Sequence, residues 1–165
     1  MNPKTKQILD LFEKYGAKDY IGEELTQTEH MVQAGMIAID NIKDIPQEYK
    51  NDFVLACFLH DIGHLLAFDK DNIEQMETYG VTKHEKLGAD FLRSLGIRYP
   101  IPDLVENHVK AKRYLVGKNP EYLKQLSGAS KKTLTFQGGP MSQDEIRIFE
   151  KDPLFEMSLK IRDFD

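Results

Sequence analysis

Apolar positions recur every three or four residues along most of the chain, which is the spacing of one buried helix face. The first segment of this kind has four such residues: Ile8, Leu9, Phe12 and Tyr15. Gly16 follows and is expected to end the helix, because glycine is favoured just past a helix C-terminus. The same spacing predicts a second helix over about residues 27–39, with one apolar side: Met31, Ala34, Ile37 and Ala38.

Residues 53–59 are apolar without interruption, a pattern shared by helices buried on every side and by buried strands. Pro46 stands where a first helical turn would begin. Its position, the length of the segment and the His60-Asp61-x-x-His64 sequence that follows favour a helix. Cys57 lies inside this segment and is interpreted as a packing residue.

The second half of the chain has two sequences of the capping-box type, Thr82 to Glu85 and Ser142 to Glu145. The first predicts a helix that Gly96 ends, and the second a last helical region that runs toward residue 162. A further helix is predicted over about residues 103–115. Residues 69–80 are interpreted as a polar surface loop, and residues 126–141 as a long ordered loop with a short hairpin at 133–136. Together these elements predict an all-α fold in a single domain, residues 1–165.

The composition narrows the class of protein. Hydrophobic residues make up 41% and charged residues 30% of the 165 positions, as in globular proteins and unlike disordered chains. The formal net charge of −5 argues against a nucleic-acid partner, which would require a basic face. No apolar run approaches the roughly 20 residues of a membrane span. With one cysteine, no signal-peptide pattern and no membrane segment, we expect a cytoplasmic protein without disulfides or thiolate metal clusters.

The candidate chemistry lies in the five histidines of the chain: His30, His60, His64, His84 and His108. At helical spacing, His60 and His64 would share a face at the end of the most apolar segment, and Asp61 would reach His64. Ionisable groups in such a place are unfavourable unless a cation compensates them. Imidazole and carboxylate ligands suit iron, zinc or manganese, and one carboxylate can bridge two ions. The residues therefore predict a metal site.

The pair His60-Asp61, with His30 upstream and an acidic residue near the C-terminus, resembles the HD-domain superfamily of helical metalloenzymes. His84 and His108 match two further histidines of the members that hold two metals. The resemblance implies a helical bundle with a dinuclear site. One metal would be held by His30, His60, Asp61 and a C-terminal aspartate, and the other by Asp61, His84 and His108, so that Asp61 bridges the two.

The C-terminal ligand is Asp163 or Asp165. Members of the superfamily have an Arg-x-Asp sequence that is followed by a helical tail, whereas this sequence stops at Asp165. Asp165 is preferred because of its spacing from His108 and the aromatic residue before it. Since an enzyme that ends at its own ligand would be unusual, we expect the natural chain to continue past Asp165.

Three further segments resemble one group within this superfamily, the mixed-valence di-iron oxygenases related to myo-inositol oxygenase that act on 2-amino-1-hydroxyethylphosphonate. They are residues 19–23, residues 108–115 and residues 137–142. The resemblance implies two iron ions, Fe(II) and Fe(III), that cleave the C–P bond of this phosphonate with O2 to give glycine and phosphate. The implied partners are the organophosphonate and O2, and the oligomeric state stays open.

The same resemblance implies the residues that contact substrate. Tyr20 would cap an iron position before substrate enters, and Glu23 would contact the substrate ammonium group. His64, Lys112 and Ser130 would hold the phosphonate oxygens, which require positive charge and hydrogen-bond donors.

Two other enzymes and one non-enzyme remain alternatives. An HD-domain phosphohydrolase would use the same metals to activate water, would need no O2 and would not depend on Tyr20. An oxygenase for an N-methylated 1-hydroxy-2-aminoethylphosphonate is a close variant. Glu23 argues mildly against it, because a quaternary ammonium donates no hydrogen bond and is more often met by aromatic faces. A metal- or ligand-binding sensor would have the ligands without turnover.

Overall fold

The computed structural model describes residues 1–69 and 80–165 as helices and their connections. Within these ranges the chain forms no β-strand, only an isolated bridge between Asp19 and Thr26, which confirms the predicted all-α class. A 3-10 helix, Gln47–Tyr49, precedes α3. The α-helices are α1 Pro3–Tyr15, α2 Gln27–Asp40, α3 Lys50–Leu59, α4 Ile62–Ala67, α5 His84–Ser94, α6 Ile101–Lys118, α7 Tyr122–Gln125, α8 Gly128–Phe136, α9 Gln143–Phe149 and α10 Phe155–Phe164. Most of the polar surface loop predicted over residues 69–80 lies outside the described residues.

Two helices begin with a capping box. The one predicted at Ser142 is present, with the side chains of Ser142 and Glu145 each accepting a hydrogen bond from the other's backbone N–H. The other was not predicted, and it joins Thr26 and Glu29 at the start of α2. Because this cap fixes where α2 begins, it places His30 in the first turn of the helix.

The loop and hairpin predicted between residues 126 and 141 are wrong, because this region contains helix α8. The side chain of Ser127 accepts a hydrogen bond from the backbone N–H of Ser130 and caps the helix. The glycines that suggested a loop lie at the two ends of α8, and none interrupts residues 129–136. Leu134 packs with Leu126 and anchors the helix in a small apolar cluster.

The capping box predicted at Thr82 is also wrong. Lys83 occupies the N-cap of α5 in the left-handed conformation, with φ 59°, and no side chain caps the helix. The carboxylate of Glu85 turns instead toward His84, with Oε2 3.7 Å from Nδ1. The predicted end of this helix is correct, since Gly96 follows α5 with φ 69°. The last helical region, predicted to run from the second capping box toward residue 162, consists of two helices, α9 and α10.

The main apolar core surrounds α3 and α6. The α3 residues buried in it are Phe53, Ala56, Cys57 and Leu59. Leu55 is 45% exposed, so α3 is not buried on every side as its composition predicted. Ile37 on α2 is likewise exposed, although its spacing placed it on the buried face. Helix α6 contacts α3, α5 and α10, and this central position carries His108 into the interior.

The helical path breaks between α3 and α4, at His60 and Asp61. Helix α3 ends at Leu59, and Asp61 has φ −103° and ψ 12° before α4 begins at Ile62. The prediction that His60 and His64 share one helix face is therefore wrong. The break sends the two imidazoles to different neighbours, since His60 meets His30 whereas His64 stacks on another histidine ring.

Helices α4 and α5 approach each other through glycine. A Cβ atom on Gly63 would lie 1.9 Å from the carbonyl oxygen of His84, closer than any real contact. A Cβ atom on Gly88 would lie 3.1 Å from the backbone nitrogen of Gly63. This backbone contact brings the first residue of α5, His84, beside the break that carries Asp61.

None of the helices within residues 1–69 and 80–165 combines the length and the apolar character needed to cross a membrane. The longest of them, α6, alternates buried apolar side chains with charged residues such as Asp103 and Lys110. Its pattern is that of a helix with one face toward a protein core.

Candidate active site

One group of four potential ligands joins α2, the α3–α4 break and the end of α10: His30, His60, Asp61 and Asp165. Their ligand atoms lie within 4.8 Å of one another. The Nε2 atoms of His30 and His60 are 3.1 Å apart, and Asp165 Oδ1 lies 3.1 Å and 3.2 Å from them. Asp61 Oδ2 lies 3.4 Å and 3.3 Å from the same two nitrogens. Of the two C-terminal aspartates considered, the structure brings Asp165 into this group.

A second group consists of Asp61, His84 and His108. The Nε2 atoms of the two histidines are 3.1 Å apart, and Asp61 Oδ1 lies 3.1 Å from His84 Nε2 and 3.4 Å from His108 Nε2. One carboxylate thus faces both groups, with Oδ2 toward the first and Oδ1 toward the second. This is the arrangement in which a single aspartate can bridge two ions.

The hydrogen bonds around these histidines prepare them to bind cations. The Nδ1–H of His60 donates to the carbonyl of Cys57 at 2.8 Å, and that of His108 donates to the carbonyl of Val105 at 2.6 Å. Because a carbonyl only accepts, Nε2 of each neutral ring carries a lone pair directed into the site. Asp61 Oδ2 is buried and accepts no hydrogen bond from the described residues. Lone pairs and carboxylates concentrated in a buried place fit a pair of metal ions.

Without metal, the electrostatics keep both carboxylates ionised. Burial alone would raise the pKa of Asp61, but His60 and His108 hold that pKa well below its usual range. Burial also opposes ionisation of Asp165, but Arg162 and His60 lower its pKa in the same way. Burial disfavours charged His30, yet its hydrogen bond to Asp165 and the nearby negative charge of Asp61 raise its pKa to about 9. Metal ions would replace such protons, because ligands bind in their deprotonated forms.

Arg162 is a site residue that the sequence interpretation missed. It forms an ion pair with Asp165 three residues later on α10. Its Nη2 lies 3.3 Å from Ser130 Oγ, and its Nε lies 3.3 Å from Tyr122 Oη. The Arg-x-x-Asp spacing was visible in the sequence, but only the aspartates were considered there. Arg162 therefore links the first ligand group to α7 and α8.

A cavity of about 370 Å³ opens onto both ligand groups. All five residues implied as substrate contacts line it: Tyr20, Glu23, His64, Lys112 and Ser130. Its wall also includes Arg162, Thr133 and Gln27, which the sequence interpretation did not name. The cavity is thus polar, with cations from α6 and α10 and an acidic residue from the loop before α2.

Tyr20 covers the first ligand group. Its ring stacks on the ring of His30, with centroids 3.8 Å apart and an angle of 12° between the planes. Burial, followed by the nearby charges of Asp61 and Asp165, raises the pKa of Tyr20 well above its ordinary value. Its hydroxyl therefore stays protonated at neutral pH.

Lys112 brings a buried positive charge to the cavity. It is 5% exposed, and its Nζ donates to Thr133 Oγ1 at 2.9 Å and to the carbonyl of Ser130 at 3.3 Å. Burial, followed by the charge of Arg162, lowers the pKa of Lys112 to about 8. The ammonium group has donor capacity left for a ligand, since it has three hydrogens.

His64 lies beside the second ligand group as a neutral donor. Its ring stacks on that of His84, with centroids 4.0 Å apart. The backbone N–H of Val81 donates to His64 Nδ1 at 3.4 Å, which leaves the proton of the neutral ring on Nε2. Burial, followed by the charge of His84, lowers the pKa of His64 to about 3.

Comparison with protein families gives a match to the HD domain over residues 28–134. The matched segment contains all five histidines, four of which belong to the two ligand groups, together with Asp61. The C-terminal aspartate and the loop with Tyr20 and Glu23 lie outside it.

Three relatives match nearly the whole chain. The chain is 48% identical over 160 residues to the uncharacterized protein L432 of Acanthamoeba polyphaga mimivirus, covering 96% of this chain and 69% of that protein. It is 38% identical over 161 residues to a [1-hydroxy-2-(trimethylamino)ethyl]phosphonate dioxygenase (glycine-betaine-forming) of Leisingera caerulea, covering 94% and 74%. It is 32% identical over 164 residues to a hydroxymethylphosphonate dioxygenase of Gimesia maris, covering 98% and 76%.

Proposed function

Because the chain belongs to the HD-domain family, and within it to the phosphonate dioxygenases, we propose that it cleaves the C–P bond of 2-amino-1-hydroxyethylphosphonate with O2, giving glycine and phosphate. The chain is an oxidoreductase of this family, and the identity of its phosphonate is the proposal. The observation that carries the proposal is the cavity, which joins two metal-ligand groups to cations on one side and to a carboxylate on another.

The cationic part of the cavity supports binding of a phosphonate. Lys112 and Arg162 bring two positive charges, and Thr133 and Ser130 add hydroxyl groups beside them. A phosphonate dianion accepts several hydrogen bonds and is stabilised by such charge-assisted donors. His64 adds a neutral donor through Nε2. The phosphonate would therefore lie between α6, α8 and α10, against the second ligand group.

The loop before α2 supports binding of an amine. Glu23 lines the cavity and is exposed at its rim, where its carboxylate can pair with a substrate ammonium group. Tyr20 lines the same cavity and stacks on His30 of the first ligand group, so its ring would have to move when a ligand approaches His30. The ammonium group and the phosphonate group of the substrate would thus each bind to residues of opposite charge, and these residues lie on different elements of the fold.

The proposed cofactors are two iron ions, held by the two ligand groups and bridged by Asp61. When bound, such ions would supply the Lewis acidity and the electron transfer to O2 that the reaction needs, in a mixed-valence Fe(II)/Fe(III) pair. The chain's own residues would neutralise the phosphonate, orient the hydroxyl-bearing carbon and exclude water. No residue distant from this site would take part in proton transfer. Cytoplasmic location is part of the proposal as well.

The proposal is tested by measuring O2 uptake and phosphate release together, with iron-loaded protein and 2-amino-1-hydroxyethylphosphonate. We expect one phosphate and one glycine for each O2 consumed. Protein that holds two irons and consumes no O2 with any 1-hydroxyphosphonate would refute the oxygenase. Phosphate released from ordinary phosphomonoesters without O2 would identify the hydrolase instead.

Phosphonate binding is expected to weaken as the pH rises through about 8, because Lys112 binds phosphonate in its charged form and its pKa is lowered to about 8. The KM for phosphonate should be nearly constant below that pH and rise above it. Hydroxymethylphosphonate is the useful ligand here, because it has no amine that titrates in the same range. In Lys112→Arg the guanidinium stays charged, so KM should no longer rise between about pH 8 and about pH 9.5. An unchanged rise in this variant would assign the titration to another group.

A further inference from the structure

Gln27 lines the cavity, and its amide oxygen lies buried without a hydrogen-bond partner among the described residues. The residue is the first of α2 and is 2% exposed. Its Nε2 donates to the carbonyl of Asp19 at 3.2 Å, whereas its Oε1 is buried and accepts no hydrogen bond from the described residues. A buried acceptor without a donor is unfavourable, and native proteins leave few of them. The oxygen therefore calls for a donor that a ligand in the cavity can bring.

The orientation of this amide is determined by its surroundings. If the amide were flipped, its oxygen would face the carbonyl oxygen of Asp19, and two acceptors would oppose each other. The backbone on both sides is also held, because the N–H of Gln27 donates to the carbonyl of Lys18 at 2.9 Å and the adjacent Thr26 caps α2. Oε1 is thus a preorganised acceptor and not a freely rotating amide.

We propose that Gln27 Oε1 accepts a hydrogen bond from the substrate nitrogen and makes the site selective for an amine that keeps at least one N–H. This inference rests on the proposed function. Gln27 lines the same cavity as Glu23, on the polypeptide segment that carries the acidic residue, and the cations Lys112 and Arg162 lie on other helices. An ammonium group would be drawn to this segment, where Glu23 supplies charge at the rim and Gln27 an uncharged acceptor in the interior.

The selectivity follows from what a trimethylated nitrogen cannot do. A quaternary ammonium has no N–H, so it would bury Gln27 Oε1 against methyl groups and leave the acceptor unpaired. Loss of one such hydrogen bond with a buried partner corresponds to about tenfold to about a hundredfold in affinity. The site should therefore bind 2-amino-1-hydroxyethylphosphonate more tightly than its N-trimethyl analogue by a factor in this range.

Two substitutions distinguish the acceptor role of Gln27 Oε1 toward substrate from the hydrogen bond that Gln27 donates to the Asp19 carbonyl. Gln27→Met keeps the length of the side chain but loses both the acceptor and the donor. Gln27→Glu keeps an acceptor at the same place, replaces the donor to the Asp19 carbonyl by an oxygen and adds a negative charge. If Gln27 serves to hold the loop, the two variants behave alike, whereas a substrate acceptor is lost only in Gln27→Met.

The measurement is the Kd of three phosphonates for the iron-loaded protein under argon, where no turnover occurs. The three are 2-amino-1-hydroxyethylphosphonate, its N-trimethyl analogue and hydroxymethylphosphonate. We expect Gln27→Met to weaken binding of the primary amine about tenfold to about a hundredfold, and to bind hydroxymethylphosphonate, which has no amine, as the unsubstituted protein does. Gln27→Glu should still prefer the primary amine over the trimethyl analogue. The same binding pattern in a protein that consumes no O2 would support the acceptor role and refute the oxygenase alone.

Three results would overturn the inference. An equal loss for all three phosphonates in both variants would make Gln27 a structural residue of the loop. An unchanged preference in Gln27→Met, with the variant folded by its thermal transition, would show that other groups read the nitrogen. Failure of the unsubstituted protein to bind any of the three phosphonates would refute the proposed function together with this role of Gln27.

Discussion

Asp165→Asn is expected to lose the metal of the first group and to lower kcat/KM at least about a thousandfold, because metal catalysis supplies several kcal/mol of transition-state stabilisation. Asparagine retains the shape of the side chain but removes the charge that faces the nitrogens of His30 and His60 at 3.1 Å and 3.2 Å. It also removes the anionic partner of Arg162. Iron content per chain and O2 uptake with phosphonate measure the two effects.

Asp163→Asn is the matched control, since it makes the same chemical change two residues earlier on α10. Asp163 is exposed, and its carboxylate belongs to neither ligand group. Because Asp163 also lines the cavity, iron content is the readout that separates the two aspartates, and we expect this variant to keep two irons. The opposite result, with metal lost in Asp163→Asn and kept in Asp165→Asn, would show that the wrong aspartate has been assigned.

Lys112→Met is expected to raise the KM for phosphonate about a hundredfold, because a hydrogen bond to a charged group contributes about 1.5–3 kcal/mol. The change should fall mainly on KM, since Lys112 would hold a part of the substrate that remains charged in both the ground state and the transition state. The variant should fold, because burial already disfavours the charge of Lys112. Steady-state kinetics with saturating O2 measure the KM, and a thermal transition shows whether the variant folds.

Lys110→Met provides the comparison for this variant. Lys110 lies two residues earlier on α6, is exposed, and donates to Asn107 Oδ1 at 3.0 Å outside the cavity. Its removal changes the net charge equally but should leave KM within about twofold, because exposed charges interact weakly through solvent. A similar rise of KM in both variants would indicate a general electrostatic effect and contradict a direct contact of Lys112.

The periodicity of the sequence was sufficient for most helices, because amphipathic spacing reflects burial directly. It failed where the local composition of a segment suggests one structure and the packing of that segment in the fold produces another. Residues 128–136 have glycines near both ends and polar residues within, so their composition suggests a loop, while the cap at Ser127 and the packing of Leu134 make a helix. The start of α5 was misplaced for a related reason: Thr82 and Glu85 have the right spacing for a cap, but Glu85 turns toward His84.

The residues of the candidate site were recognisable as a set, but their grouping required the fold. On a continuous helix His60 and His64 would be neighbours, and only the break at Asp61 shows that they face different partners. Gln27 was missed because a lone polar residue in a helix has no periodic signal, whereas Arg162 was missed because only the aspartates beside it were considered. That the chain forms a single domain stays a prediction from its length and composition.

The contact between α4 and α5 has a consequence for how this protein can vary. The distance between Asp61 and His84 is set where Gly63 touches the backbone of His84, so the absence of a side chain at position 63 determines how closely His84 approaches the aspartate that the two ligand groups share. Any residue other than glycine at position 63 would push α5 outward and take His84 with it. A lineage could thus convert this paired site into a mononuclear one by a single substitution that replaces none of the ligand residues.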